Sequence, residues 1–215
     1  MPDHNICEHC NCYLAISDRN CPYCMQPMIL DSRGAVSLWR LGDIRDGVVG
    51  AVAHTIHSVF GVPVVVQPAF IDERPSQREG WRGISATIFL NQVLARYRRG
   101  CVTGLGITEY NIVPGEAYNF LFGYAYMDQP AAAVSLHALE TDGPDLELLA
   151  ERAAKIAVHE LGHTLNLDHH DYESDCDCVM IGDEKVDSVD GIDEGSANFC
   201  ADCAAVIEKR LNTLR

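Results

Sequence analysis

One segment, residues 157–180, restricts the possible folds of this chain more than any other: AVHELGHTLNLDHHDYESDCDCVM. Within it, His159, Glu160 and His163 form the pattern HExxH. On a helix, residues i and i+4 lie on one face, about 6 Å apart along the axis, so two imidazoles there can bind one zinc ion. Glu160 lies beside them and can accept a proton from zinc-bound water. HExxH also occurs by chance on unrelated helices, where its histidines are exposed polar residues.

His169 adds a third potential ligand, six residues after His163. In an unbroken helix it would be rotated by about 600° from His163 and would point to the wrong side. A third ligand at this spacing therefore requires the helix to end and the chain to reverse. Such a turn needs a left-handed backbone conformation, and Asn166 is the best non-glycine candidate for it.

These residues resemble a known family. HExxHxxGxxH followed by a methionine turn is the signature of the metzincin metallopeptidases, and this chain has it with Asn166 in place of the glycine. More narrowly, the chain resembles the archaemetzincins, in which cysteines follow the third histidine, then C-x-M, then a downstream CxxC. Here residues 178–180 supply the C-x-M, and Cys200 and Cys203 supply the CxxC. The resemblance covers about residues 35–215.

The resemblance implies roles for the residues that match the motif. His159, His163 and His169 would hold a catalytic zinc ion with one position left for water, and Glu160 would act as the general base. Met180 would form the hydrophobic floor beneath the histidines. The alternative role for Met180 is to fill the core, and both roles are compatible.

A second zinc site is expected from the cysteines of the motif. Where the family has a cysteine directly after the third histidine, this chain has His170, and the next cysteine, Cys176, comes late. We expect Cys176, Cys178, Cys200 and Cys203 to hold a structural zinc ion, because four thiolates complete a tetrahedral site. His170 is the competing ligand for the fourth position.

The N-terminus predicts a third zinc site. Two CxxC pairs, Cys7/Cys10 and Cys21/Cys24, are separated by ten residues, which is typical of a zinc ribbon. A unit of residues 1–30 is too small to fold without metal. The alternative is four structural cysteines without metal. Because the segment lacks a basic surface, we expect it to stabilise the chain or bind a protein partner.

Composition limits the partners and the compartment. The formal net charge of −15 repels phosphates, which argues against nucleic acid and anionic membranes as partners. The polar, cysteine-rich N-terminus is not a signal peptide, and no run of about 18 apolar residues suggests a membrane span. Paired cysteines at metal-binding spacing favour a reducing, cytoplasmic location.

Beyond the ribbon, strands and helices alternate in the order β-α-β-α-β-β-β-α, which predicts an α/β (α+β) sandwich with a metzincin-like mixed sheet. Asp43 is the expected N-cap of the first helix and Gly61 its end. His54 and His57 on that helix are either metal ligands or, as we favour, ordinary partly buried histidines. Strands are expected at 35–41, 62–70, 101–112, 118–127 and 132–139, and helices at 43–61, 84–98, 143–165 and about 197–214. The expected domains are the ribbon (1–30) and a catalytic domain (31–215) with subdomains 31–166 and 167–215.

Together these features predict a zinc metallopeptidase that cleaves peptides or proteins by zinc-activated water. Residues 132–139 are expected to form an edge strand that pairs with an extended substrate. Ten acidic residues between 171 and 194 would favour basic peptides or a free α-amine, and so aminopeptidase-like action, if they border the cleft. The alternative for them is a solvated acidic loop. The alternative function is a zinc-stabilised protein-interaction module with an occluded or inactive site.

Overall fold

The computed structural model of the chain describes residues 34–67, 83–97, 101–115, 119–127, 129–140, 145–170, 177–182 and 189–214. The predicted ribbon with Cys7, Cys10, Cys21 and Cys24 lies outside the described residues, and so does Cys176. Six of the ten acidic residues between 171 and 194 lie outside them as well.

A five-stranded mixed sheet forms the centre of the domain. In chain order the strands are β1 (Val36–Leu41), β2 (Val64–Val66), β3 (Ile84–Ser85), β4 (Thr103–Thr108), β5 (Ile112–Val113), β6 (Gly123–Ala125) and β7 (Ala131–Ser135). The large sheet has the order β2-β1-β4-β7-β6, and β3 pairs with β5 in a separate two-stranded sheet. Strands β2, β1, β4 and β7 are parallel, whereas β6 runs antiparallel to β7.

Helices cover both faces of this sheet. They are α1 (Asp46–Phe60), α2 (Ala86–Arg96), α3 (Leu146–Thr164), α4 (Val189–Glu194) and α5 (Ala201–Leu214). Helices α1 and α3 pack on one face, and α2 packs on the other. The predicted α/β sandwich is therefore confirmed. The last helix begins at Ala201 instead of about residue 197, and α4 was not predicted. Among the helices of the described ranges, none is both long and apolar enough to cross a membrane.

Strand β4 shows how the sequence permits close packing. Its alternate residues Leu105 and Ile107 are fully buried in the core beneath α1 and α3. On its other face, a Cβ at Gly106 would lie 2.7 Å from Phe89 Cζ and 2.7 Å from Val93 Cγ2 of α2. Glycine at this position therefore allows α2 to approach the sheet, as glycine within a strand often does.

The ends of α1 differ in part from the prediction. The helix begins at Asp46 with Arg45 as its N-cap residue, so the expectation that Asp43 caps it is wrong. The Asp43 amide instead donates a hydrogen bond of 3.3 Å to Glu109 Oε1, which holds it outside the helix. Gly61 ends the helix as predicted, in the left-handed region at φ 61°.

The two histidines of α1 have ordinary surroundings. His57 Nδ1 lies 3.0 Å from the carbonyl oxygen of Val62, just beyond the helix end, and His54 is exposed. Neither belongs to a group with metal-binding geometry in the part of the chain that the structure describes.

Candidate metal centre

Helix α3 carries HExxH near its C-terminus. The Asp145 carboxylate caps the helix by accepting hydrogen bonds from the amides of Glu147 (3.1 Å) and Leu148 (3.0 Å). One face of α3 is buried against the sheet, and the last two turns place His159 and His163 side by side. Their ring centroids are 4.7 Å apart, with the ring planes at 87°.

The chain reverses immediately after α3. Asn166 has φ 65° and is the only non-glycine residue with positive φ in the described ranges. Its amide donates to the His163 carbonyl (2.9 Å), and the Leu167 amide donates to the Gly162 carbonyl (3.1 Å). This pair of bonds is a Schellman motif, which satisfies the last carbonyls of the helix. The reversal brings His169 back toward the two histidines of α3.

The Nε2 atoms of His159, His163 and His169 converge. The three separations are 3.1 Å (159–163), 3.1 Å (159–169) and 3.0 Å (163–169). These values are close to the roughly 3.3 Å expected between nitrogens that bind one zinc ion tetrahedrally at 2.0–2.1 Å.

Hydrogen bonds at the opposite ring atoms orient two of these imidazoles. His159 Nδ1 donates to the Val179 carbonyl oxygen (2.7 Å), and His163 Nδ1 donates to the Leu167 carbonyl oxygen (2.9 Å). With the proton on Nδ1, a neutral ring presents its Nε2 lone pair to the shared point. Lone pairs directed at one another fit a bound cation, and the donor set fits zinc.

Burial favours the neutral form of the two histidines on α3. It lowers the pKa of His159 to about 4, against the opposing hydrogen bond to Val179 and with the added repulsion of the two neighbouring histidines. Burial also lowers the pKa of His163. Neutral imidazole is the form that binds metal, so the site does not depend on releasing protons from these rings at neutral pH.

Glu160 points away from solvent, toward the edge of the sheet. Its side chain is buried against Gly123 of β6. Burial raises the pKa of the Glu160 carboxyl to about 8, so its protonated and ionised forms both lie within reach near neutral pH. Sequence reasoning missed Gly123, although a glycine inside an apolar strand is a known sign of close approach.

Met180 lies under the HExxH turn. It is fully buried, and a Cβ at Gly162 would lie 2.5 Å from its sulfur, so the helix and the methionine are in close contact. The same residue belongs to the main hydrophobic core. Met180 thus lies both near the histidines and in the core. Both roles that the sequence allowed, a floor beneath the histidines and core filling, are compatible with this position.

A second cluster lies between α5 and the turn that contains Met180, here called the methionine turn. It contains His170, Cys178, Cys200 and Cys203, whose donor atoms all lie within 4.8 Å of one another. His170 Nε2 is 3.0 Å from Cys203 Sγ and 3.3 Å from Cys200 Sγ. Among the described residues, His170, the competing ligand, is thus the fourth member of the group beside three of the four expected cysteines. A backbone bond from the His170 amide to Met180 O (2.8 Å) fixes it beside the cysteines.

The three thiols of this cluster affect one another's protonation. Burial alone would raise the pKa of Cys200, but hydrogen bonds from the Cys203 amide and from the neighbouring thiols and His170 lower it to about 7. Burial and the adjacent sulfurs raise the pKa of Cys203 to about 12. Cys200 therefore ionises readily, whereas Cys203 resists ionisation beside it. A bound divalent cation would stabilise both thiolates by its charge.

The substrate strand that we expected is not at an edge. Strand β7 contains residues 132–135 of the expected strand and lies between β4 and β6, so both of its sides are paired. The edge next to α3 is β6. Its neighbours Phe122 and Tyr126 bond to β7, through Ser135 N→Phe122 O (2.8 Å) and Tyr126 N→Ala131 O (3.1 Å). Because antiparallel pairing alternates, the amides and carbonyls of Gly123 and Ala125 point outward from the sheet.

Known proteins share this architecture. Residues 96–209, which include every member of both clusters, match peptidase family M54. The chain is 30% identical to the archaemetzincin of Archaeoglobus fulgidus over 164 residues, covering 76% of this chain and 93% of that protein. The crystal structure of archaemetzincin from Methanopyrus kandleri superimposes with a TM-score of 0.67 at 29% identity, covering 86% and 98% of the two chains. That of A. fulgidus archaemetzincin complexed with malonate gives 0.63 at 28% identity, covering 80% and 99%.

Proposed function

Since this chain belongs to peptidase family M54, the archaemetzincins, and is a zinc metallopeptidase, we propose that it hydrolyses peptide bonds with Glu160 as the general base. The observation that carries the proposal is the convergence of three Nε2 atoms at 3.0–3.1 Å beside a buried carboxyl on the same helix. His159, His163 and His169 would hold the catalytic zinc ion.

The chemistry divides between the metal and the chain. Bound zinc supplies a Lewis acid that polarises the scissile carbonyl and makes water more acidic. Glu160 accepts a proton from the attacking water and delivers it to the amine that leaves. Its burial excludes bulk solvent from the carboxyl, so the proton is retained for the leaving group.

The substrate binds as an extended peptide along β6. The outward amides and carbonyls of Gly123 and Ala125 offer hydrogen bonds to a backbone laid beside them. Residue Gly123 also adjoins Glu160, so a peptide on this edge passes next to the general base.

We further propose that the protein acts as an aminopeptidase. This action depends on acidic side chains near the cleft that would bind a free α-amine, and Asp177 and Asp168 are exposed acids in the described part of this region. A matched pair of peptides, one with a free and one with an acetylated N-terminus, tests it. Preference for the free amine would support aminopeptidase-like action, and equal internal cleavage of both would show an endopeptidase.

A structural zinc ion is proposed at the second cluster. His170, Cys178, Cys200 and Cys203 provide one nitrogen and three sulfur donors, a set that zinc binds in closed tetrahedral sites. This ion would join the methionine turn to α5. Reduced thiols there favour the cytoplasm as the compartment, consistent with the free cysteines of the described residues.

The third zinc ion and the partner role of residues 1–30 remain part of the proposal. Elemental analysis of the whole chain should give three zinc ions. A variant with Cys21→Ser and Cys24→Ser should lose one of them and keep peptide cleavage. A wild-type content of two would contradict the ribbon.

Glu160→Gln tests the proposed reaction. The amide has the shape of the carboxyl but cannot accept a proton, so kcat should fall by about 10²–10⁴-fold while both described centres keep their zinc. Glu151→Gln, a surface change on the same helix, is the control and should leave kcat unchanged. Unaltered turnover in Glu160→Gln would refute the general-base role. A fully zinc-loaded wild type that cleaves no peptide of a library would favour the interaction-module alternative.

A further inference from the structure

We propose that Gly123 is a positioning residue, which sets the Glu160 carboxyl against the substrate-binding edge of the sheet because it has no side chain. The inference rests on the proposed function. One residue of β6 would thus align the base with the peptide.

The contact between the two residues is very close. A Cβ added at Gly123 would lie 2.6 Å from Glu160 Cγ and 2.8 Å from Cδ, and closer still to Oε1. Non-bonded carbon atoms are normally about 3.5–4.0 Å apart, so a side chain at residue 123 and the present position of Glu160 exclude each other.

The backbones on either side of this contact are fixed. Strand β6 is bonded to β7 on both flanks of Gly123, and its neighbour Phe122 is buried. On the other side, Ala157 and Leu161 of α3 are 0% and 1% exposed and hold the helix in the core. The Glu160 side chain, with its rotatable bonds, is the part that can move. A methyl group at residue 123 would therefore displace the carboxyl before it disturbed the fold.

The same residue faces the substrate. The amide and carbonyl of Gly123 point to the outer edge of β6, while its α-carbon lies against the Glu160 side chain. The substrate backbone and the base are thus both located relative to one residue. Misplacement of a catalytic group by about 1 Å can cost on the order of 10²-fold in rate, so this alignment is expected to matter for kcat.

Two other glycines near the three histidines make similar contacts with different consequences. A Cβ at Gly182 would lie 2.7 Å from His169 Cβ, and one at Gly162 would lie 2.5 Å from Met180 Sδ. Those contacts concern a metal ligand and the core beneath it. Gly123 differs because its contact is with the base alone. A substitution there should leave the zinc content unchanged, whereas a substitution that displaces a metal ligand should lower it.

The first experiment compares Gly123→Ala with Gly115→Ala, where a Cβ meets nothing within 4 Å. Zinc content, far-UV circular dichroism, kcat and KM on one extended peptide are measured for each. Gly123→Ala should keep its fold and zinc, lose about 100-fold in kcat and change KM by less than about threefold. Gly115→Ala should match wild type. A Gly123→Ala variant with wild-type kcat, or one that loses zinc or fold, would overturn the proposal.

A second experiment shows whether the effect passes through Glu160. Glu160→Gln keeps the shape of the side chain but removes the base whose position Gly123 is proposed to set. Adding Gly123→Ala to that variant should lower kcat by less than about threefold, compared with about 100-fold in wild type, since coupled residues are not additive. Equal losses in both backgrounds would overturn the proposal. A wild type without peptidase activity would instead refute the proposed function.

Discussion

Arg152 of α3 forms a bidentate ion pair with Asp193 of α4, with Nε–Oδ1 and Nη2–Oδ2 distances of 2.7 and 2.6 Å. The guanidinium is buried and also donates to the Leu139 carbonyl (2.9 Å), while Lys155 donates to the carbonyls of Ile192 and Asp193 (3.1 Å each). These bonds attach α4, which precedes the CxxC of the second metal centre, to the helix that carries HExxH.

Because of this ion pair, we expect part of the free energy of unfolding to be lost in acid. The hydrogen bond from Arg152 holds the pKa of Asp193 below its usual value, against partial burial that would raise it. A folded-state pKa below the unfolded one stabilises the fold fully above the unfolded pKa, and this stabilisation is lost as pH falls through the folded pKa. Asp193→Asn should therefore destabilise the protein by about 1–3 kcal/mol near neutral pH and by progressively less in acid.

Chemical denaturation at a series of pH values measures this effect. Asp190→Asn, an exposed change of the same charge on the same helix, serves as the control. If the two variants show the same dependence of unfolding free energy on pH, the ion pair does not contribute.

His170 is predicted to be the fourth ligand of the second centre. His170→Ala should lose that zinc ion or bind it far more weakly, whereas Cys176→Ser should retain it. Cobalt substitution provides an optical test, because the intensity of the thiolate-to-cobalt absorption scales with the number of bound sulfurs, and three are expected. Loss of the ion in Cys176→Ser, with retention in His170→Ala, would instead support the hypothesis of an all-thiolate site.

Asn166 should accept glycine but not alanine. At φ 65°, glycine has no steric penalty, so Asn166→Gly is expected to keep stability and zinc. Asn166→Ala places a Cβ in the left-handed region and should cost about 1–2 kcal/mol. Thermal unfolding together with zinc analysis distinguishes the two variants. A fully stable Asn166→Ala would show that the reversal is not strained.

Metal removal should proceed in two stages. His169 is exposed, so a mild chelator is expected to reach the three-histidine centre first and abolish cleavage without unfolding. The cysteines Cys178 and Cys203 are buried, and removal of their ion should require stronger chelation and loosen α5. Activity and circular dichroism followed in one titration give the order. Simultaneous loss of both signals would contradict separate centres.

The sequence predicted the parts of the site that depend on local spacing. HExxH required a helix, and the six-residue interval to His169 required a reversal at Asn166, where the structure has φ 65°. Both follow from helix geometry along a continuous stretch of chain. The helix end at Gly61 was predicted for the same kind of reason.

What the sequence did not reveal depends on contacts between distant segments. The strand at 132–139 was expected at an edge, but sheet order follows from packing across the whole domain, and β6 occupies the edge instead. The contact between Gly123 and Glu160 joins segments 37 positions apart. The ligands of the second cluster depend on such contacts too: the structure groups His170 with Cys178, Cys200 and Cys203, and Cys176 lies outside the described residues.

The adjacency of His169 and His170 has a consequence for how such chains can vary in length. One of these neighbours faces the three-histidine cluster and the other faces the cysteines, so an inserted residue anywhere from His163 to His170 would shift one cluster against the other. The stretch from 171 to 176 connects two points that are already fixed, His170 and the methionine turn. Insertions and deletions among homologues should therefore accumulate in that stretch, while the interval from His163 to His170 keeps a constant length.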